Sequence, residues 1–196
     1  QVIWGNNPTI SLMHTMHFFM EAKENGTRFV VIDPVYNATA SKADWWVPVK
    51  GGTDGALALG VLNVLFENGW IDEDMLRNKT NCGLLIKEDG KFLRMSDLGV
   101  EPTEGELDPA TGEPTVIDPP AVWDEASGTA VAFSETTSPV LEGITEVEGI
   151  KVQTVYENAM GYISQYPPAT ASGICGVAED DIRELARIYH EDGPVT

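Results

Sequence analysis

The chain opens with an apolar run, Val2-Ile3-Trp4, cut by Gly5-Asn6-Asn7-Pro8, which reads as a strand and then a turn. From about Thr9 to Asn25 the spacing becomes helical. Ile10, Met13, Met16, Phe18, Met20 and Ala22 supply an apolar face, Thr9 or Ser11 stands where a cap belongs, and Asn25-Gly26 ends the helix. Arg28 to Pro34 is a second strand, its Phe29-Val30-Val31-Ile32 continuously apolar and closed by Asp33-Pro34. A strand–helix–strand unit whose second strand is apolar on both sides predicts a parallel sheet covered on both faces. Residues 35–43 are small and polar and suit a loop with a short helical turn. Asp44 to Val49 is a third strand, and Lys50-Gly51-Gly52 turns. Thr53-Asp54 then opens a helix that is apolar nearly all round as far as Phe66, which predicts burial. Asp72 stands at the N-cap of a short helix running through Asn78.

From Cys82 the pattern changes. Residues 84–93 read as a hairpin turning at Asp89-Gly90, residues 99–120 as an exposed acidic loop rich in Pro, Gly and Thr, and residues 121–131 as a second hairpin. Residues 152–166 are moderately helical. Val177 to Glu191 is the clearest late helix, acidic at its start and carrying Arg183 and Arg187 further on. The expected architecture is α/β: a Rossmann-like, mostly parallel sheet flanked by helices. It forms one domain over residues 1–196 with a variable, hairpin-rich insertion at 83–150. Gln1 stands just before a strand and Gly193-Pro194-Val195-Thr196 reads as the approach to another, so the expectation is a domain cut from a larger protein.

Charge narrows the partners. Lys plus Arg number 12 and Asp plus Glu 31, a formal charge of −19. That field repels phosphate backbones and anionic lipid heads, so no nucleic-acid partner and no direct membrane insertion are expected. No apolar run approaches the roughly 18 residues that span a bilayer. Cys82 and Cys175 are too few and too far apart for a disulfide framework, a zinc site or an iron–sulfur cluster, and both read as structural.

Three places carry candidate chemistry. In Trp4-Gly5-Asn6-Asn7-Pro8 a glycine between strand and helix lets backbone approach a ligand, and the helix start offers N–H groups to an anion; a βα turn also favours these residues without any ligand. Asp33 ends the second strand, where an acid accepts hydrogen bonds from ribose hydroxyls; Asp-Pro is equally a turn opener. Gly51-Gly52-Thr53-Asp54 ends the third strand, and a carboxylate there suits the paired N–H donors of guanine; Thr and Asp are also ordinary capping residues. All three fall at the carboxyl edge of parallel strands, where open α/β sheets bind ligands. Together they compose one nucleotide site.

The order Trp4-Gly5-Asn6-Asn7-Pro8, Val31-Ile32-Asp33-Pro34, Thr39-Ala40 with Ala43-Asp44, then Gly52-Thr53-Asp54-Gly55-Ala56-Leu57-Ala58-Leu59-Gly60 resembles the molybdopterin oxidoreductase (dimethyl sulfoxide reductase) family. The later Thr170-Ala171-Ser172-Gly173-Ile174-Cys175-Gly176-Val177, followed by Ile182 to Arg187, is similar as well. The resemblance implies the family's third domain, which holds the nucleotide half of one of two molybdopterin guanine dinucleotides. It implies that Gly5 and Asn7 approach the diphosphate, Asp33 with Pro34 the ribose, and Asp54 the guanine, with Trp4 and Gly52 shaping the walls. It further implies a parent oxidoreductase with molybdenum or tungsten, the other domains of that enzyme as partners, and an electron-transfer subunit with iron–sulfur centres. The family's metal ligand, and the iron–sulfur cysteines of many members, precede this domain, so no catalytic or metal-ligating residue is expected here and the chain alone is expected to be inactive. Many members carry arginine after Asp-Pro; Val35 stands here, leaving Lys42 or Lys50 as the cationic contact. The compartment stays open, cytoplasmic or exported to the outer face of the cytoplasmic membrane.

Two rivals are a non-catalytic subunit or interaction module of the same fold, disfavoured by the intact Gly5, Asn7, Asp33 and Asp54, and a nicotinamide-nucleotide enzyme, disfavoured by the missing Gly-x-Gly-x-x-Gly. His14 and His17 share a helix side but lack a third metal ligand nearby. Trp45-Trp46 reads as a buried strand rather than a stacking platform. The acids of 101–125 lack calcium-loop spacing and read as a solvated insertion. Limited proteolysis is expected to cut first within residues 99–120, where acids and prolines meet few apolar anchors; first cleavage inside the helix that begins at Thr53-Asp54, mapped by mass spectrometry, contradicts this layout.

Overall fold

The structure is a computed structural model. It describes residues 1–192; the stretch 193–196, read above as the approach to a strand, lies outside the described residues. The chain divides into two compact units, one of Gln1–Ile71 together with the stretch from Ile163 onward, the other Asp72–Tyr162.

In the first unit, β1 (Val2–Trp4), β2 (Val30–Ile32) and β3 (Trp45–Val47) form a parallel sheet in the order β1-β2-β3. Their last ladder partners, Trp4 with Ile32 and Ile32 with Val47, end the strands in line. Alternation across the pleat sends Val30, Ile32 and Val47 to one face and Val31 and Trp46 to the other. The first face packs on α3 (Asp54–Glu67), α6 (Pro168–Cys175) and α7 (Glu179–Glu191) through Leu57, Val61, Val64, Ala171, Cys175, Ile182 and Leu185. The second face, with Phe29, packs on Met16 and Met20 of α2 (Met13–Glu24) and on Ala40. Helices therefore cover both faces, as the unbroken apolar run of β2 requires.

The first helix departs from expectation. It is two helices, α1 (Pro8–Ser11) and α2, broken at Leu12. Ile10, Met13 and Phe18 are 68%, 71% and 61% exposed. The stripe that packs is Met16 and Met20, with Phe19 stacked on Phe29 at 6.2 Å; Phe18 lies about 100° round the helix from Phe19 and misses the sheet. Neither Thr9 nor Ser11 caps a helix. The Thr9 hydroxyl turns to Thr39, and that of Ser11 donates back to the Asn7 carbonyl.

The second unit is built from small antiparallel pieces. The short helix α4 (Glu73–Lys79) starts where expected, its N-cap Asp72 accepting from Met75 N at 2.9 Å. β4 (Leu85–Lys87) turns at Asp89-Gly90, and its return arm pairs back on it as expected: Lys87 N donates to Lys91 O, Leu93 N donates to Leu85 O, and Phe92 bridges Ile86. Its main partner is β10 (Ile150–Thr154), which also pairs with β9 (Glu146–Val147). Residues 99–120 are not a plain loop: β5 (Thr103–Leu107) and β6 (Pro114–Ile117) form a hairpin, with both strands largely exposed. β7 (Ala121–Asp124) and β8 (Thr129–Ala132) form the second expected hairpin. The expected helix at 152–166 begins only at α5 (Val155–Ile163). Ahead of it Ile150, Val152 and Thr154 alternate as a strand, and Thr154 and Glu157 form a capping box, Glu157 N donating to Thr154 Oγ1 and Thr154 N to Glu157 Oε2. The buried Asp124 carboxylate staples this unit, accepting from Ser127 N, Thr136 Oγ1, Thr137 N and Ser138 N.

This packing bears on stability in two places. At Gly60 an added Cβ stands 2.6 Å from Ala171 Cβ and 3.3 Å from Ile182 Cγ2. Helix propensity favours Gly60→Ala by about 1 kcal/mol, but overpacking at a helix crossing costs about 1–3 kcal/mol. Gly60→Ala is therefore expected to lower the urea midpoint rather than raise it. The second place concerns acid. Hydrogen bonds from Thr136 and Ser127 hold the Asp124 carboxyl well below its ordinary range, and Arg187, then Arg28, bring Glu184 down to about 2. Both are depressed in the folded state, so their stabilisation is full above the unfolded values near 4 and is lost as pH falls toward 2. Melting temperatures measured from pH 5 to pH 2 are expected to fall less steeply in Asp124→Asn and in Glu184→Gln than in the wild type.

Candidate functional site

The carboxyl ends of the three strands lie in line along one edge of the sheet. β1 stays in register one step past Trp4, with Gly5 N donating to Ile32 O at 2.9 Å. Gly5 then takes φ +61°, a left-handed conformation that costs a side-chain-bearing residue, and turns the chain outward. The Asn7 carbonyl accepts from Ile10 N and Ser11 N, and Pro8 occupies the first helical position, where no N–H is needed.

One residue past β2, Asp33 donates its own N–H to Val47 O at 3.2 Å. Its Oδ1 accepts from Val35 N at 2.7 Å and its Oδ2 from Asn37 Nδ2 at 2.9 Å, while Trp46 Nε1 donates to its carbonyl at 2.9 Å. The carboxylate is held in place yet keeps free lone pairs. Pro34, Val35 and Tyr36 beyond it are exposed. Past β3, Lys50 N donates to Cys175 O at 2.9 Å, Gly52 adopts φ +79°, and Asp54 enters the first turn of α3. Trp4 Nε1 donates to Asp54 Oδ1 at 2.7 Å across fifty residues of sequence. This bond ties the end of β1 to the start of α3 and leaves Asp54 Oδ2 without a partner among the described residues.

The sequence-predicted residues Trp4, Gly5, Asn7, Asp33, Pro34, Gly52 and Asp54 thus share one edge of one sheet. Thr39 and Asn37, which sequence reasoning gave no role, bind that edge together. Thr39 is fully buried, and its Oγ1 donates to Asn7 Oδ1 at 2.7 Å. Asn37 Oδ1 accepts from Thr39 N and Ala40 N at 2.9 Å each. The available signal was Asp-Pro followed by Asn and Thr, residues that bond nearby backbone in turns.

Asp44 belongs elsewhere. It accepts from Phe29 N at 2.8 Å and pairs with Lys23 at 2.8 Å, at the amino end of the strands. The Lys23 hydrogen bond, then that of Phe29, holds its carboxyl below the usual range. Trp45 and Trp46 point to opposite faces, Trp45 beneath the Arg28 guanidinium and Trp46 edge-on to Tyr36, so they form no joint platform. His14 and His17 are exposed, and no group of three metal-ligating side chains occurs among the described residues. Cys175 is buried in the core and Cys82 half-buried, both as free thiols. Among the described residues no helix is long and apolar enough to cross a membrane.

A family model for molybdopterin oxidoreductases matches residues 2–173. The chain belongs to the molybdopterin oxidoreductase family. It is 34% identical to the alpha chain of chlorate reductase from Ideonella dechloratans, over 94% of this chain and 20% of that protein. It is 33% identical to a putative catalytic chain of dimethyl sulfoxide reductase from Halobacterium salinarum, over 98% of this chain and 22% of that protein. Among solved structures, acetylene hydratase from Pelobacter acetylenicus superposes with a TM-score of 0.53 at 16% identity, over 98% of this chain and 17% of that one, a likeness of fold. The chain is a domain of the dimethyl sulfoxide reductase type and spans about a fifth of the length of these curated relatives.

Proposed function

We propose that this domain holds the guanine nucleotide half of a molybdopterin guanine dinucleotide within a larger molybdenum or tungsten oxidoreductase. The observation that carries the reading is the Trp4–Asp54 hydrogen bond: it sets a carboxylate, one oxygen free, on the same edge as Gly5, Asn7 and Asp33. The donor set suits such a ligand. Gly5, Gly51 and Gly52 have open space where a Cβ would lie, so backbone can approach a diphosphate. Asn7 Nδ2 has no acceptor among the described residues and offers two donors to phosphate oxygens. Asp33 accepts from ribose hydroxyls and Asp54 from guanine N1–H and its exocyclic amine. With Val35 after Pro34 no guanidinium reaches the diphosphate from that position, and Lys50, next to Gly51 in the chain, is the cationic candidate.

When bound, the cofactor supplies the redox chemistry, and this chain binds and orients it. No residue of the domain reacts, so the chain alone is inactive and the remaining domains complete the enzyme. The relatives are designated alpha or catalytic chains, which supports an assembly with further subunits; that one of them is an iron–sulfur protein for electron transfer is part of the proposal.

Titration calorimetry tests the reading. The chain is expected to bind GDP weakly and NAD not at all, and Asp54→Ala to abolish GDP binding. NAD binding without GDP binding overturns it.

A further inference from the structure

Beneath the edge lies a buried hydroxyl, that of Thr39. Thr39 is 0% exposed, and its Oγ1 has three neighbours: it accepts from Thr9 N at 3.1 Å, meets Thr9 Oγ1 at 2.8 Å and donates to Asn7 Oδ1 at 2.7 Å. A hydroxyl has a single proton to give. Given to Asn7 Oδ1, it turns the asparagine oxygen inward and leaves the Nδ2 donors on the other side of the amide, without an acceptor among the described residues. Rotating that amide by half a turn presents a carbonyl oxygen instead, which repels phosphate. The sign of the energy of Asn7 as an anion contact is therefore set by the hydroxyl of a hydrogen-bonded neighbour.

The same threonine is linked to the other half of the edge. Its N–H and that of Ala40 are held by Asn37 Oδ1, and Asn37 Nδ2 donates to Asp33 Oδ2 at 2.9 Å. Asp33, Asn37, Thr39 and Asn7 form a continuous chain of side-chain and backbone hydrogen bonds between the ends of β2 and β1. Two loops of unlike sequence are thereby locked in one relative position.

We propose that Thr39 is a positioning residue that fixes the Asn7 amide with its donors toward the diphosphate of the bound nucleotide. The inference rests on the nucleotide reading above. It predicts a loss confined to the phosphate end of the ligand, which a general loosening of the fold does not produce.

The test compares GDP with guanosine by calorimetry on the wild-type chain, Thr39→Val, Thr39→Ser and Asn7→Ala, with melting curves alongside. GDP is expected to bind the wild type more tightly than guanosine does. Thr39→Val is expected to weaken GDP about tenfold, the worth of one charge-assisted hydrogen bond, and to leave guanosine unchanged. Thr39→Ser, which keeps the hydroxyl, retains the wild-type preference. Where Thr39→Val does not fold, Asn7→Ala, a half-exposed position, must show the same phosphate-selective loss. Equal weakening of GDP and guanosine in Thr39→Val, or no weakening of GDP, overturns this inference alone. A wild-type chain that binds neither ligand overturns the nucleotide reading and this inference with it.

Discussion

Parallel pairing of three short strands is the constraint from which the site follows. Parallel strands point their carboxyl ends the same way, and register fixes how far each extends. Trp4, Ile32 and Val47 end in line, so the turns after them must leave the sheet at one edge. Every polar group of the candidate site follows the end of its strand on the turn or the first helical turn that leaves this edge. Because the strands are only three residues long, the helices on both faces hold them in place. Leu57, Val61, Ile182 and Leu185 on one side and Met16, Met20 and Phe29 on the other supply the burial that keeps the edge straight.

Upon that frame the loops are tied by side chains. Trp4 is apolar enough to join the core beneath β1 and polar enough to hold Asp54 with its indole N–H. Trp46 does the same for the Asp33 carbonyl. Thr39 and Asn37 occupy the gap between the first two turns with hydrogen-bonding groups that each find a partner. Buried polar groups on loops cost free energy unless paired. Bonds within the turn after β2 hold Asn37 and Thr39, and the Thr39–Asn7 and Trp4–Asp54 bonds join that turn and the start of α3 to the end of β1, which makes the edge one structure instead of three loops.

The family's sequence pattern separates into two kinds of residue on physical grounds. Gly5, Asn7, Asp33, Gly52 and Asp54 stand at the open edge with unused donors, acceptors or space. Asp44 and Gly60 stand away from it: one clamps the amino ends of β2 and β3, and the other lets α3 approach α6. Thr39 belongs to neither kind, being buried yet acting on an exposed group. A motif residue away from the edge therefore marks a packing or hydrogen-bonding requirement of the fold, and only those at the edge offer chemistry to a ligand.

Legibility from sequence follows the range of the interaction. The apolar run 29–32, the near-uniform helix 54–67, the Asp72 cap and the Asp89-Gly90 turn are set by neighbours within a few residues, and all appear where their patterns place them. The end of β1 was legible for the same reason, and β2 stops just before the Asp33-Pro34 pair that closes it, whereas β3 ends at Val47, two residues short of the Val49 that its apolar pattern suggests. Which of the apolar residues of α2 would be buried was not legible, because Met13, Met16 and Phe18 look alike until the sheet offers a face to some of them. The strand at 150–154 was hidden by the helix that follows it, although Thr154 and Glu157 carry a capping box. The bonds between Trp4 and Asp54 and between Asn7 and Thr39 span fifty and thirty-two residues. No local pattern encodes such partners; the packing of helices on a parallel sheet alone brings them within hydrogen-bonding distance.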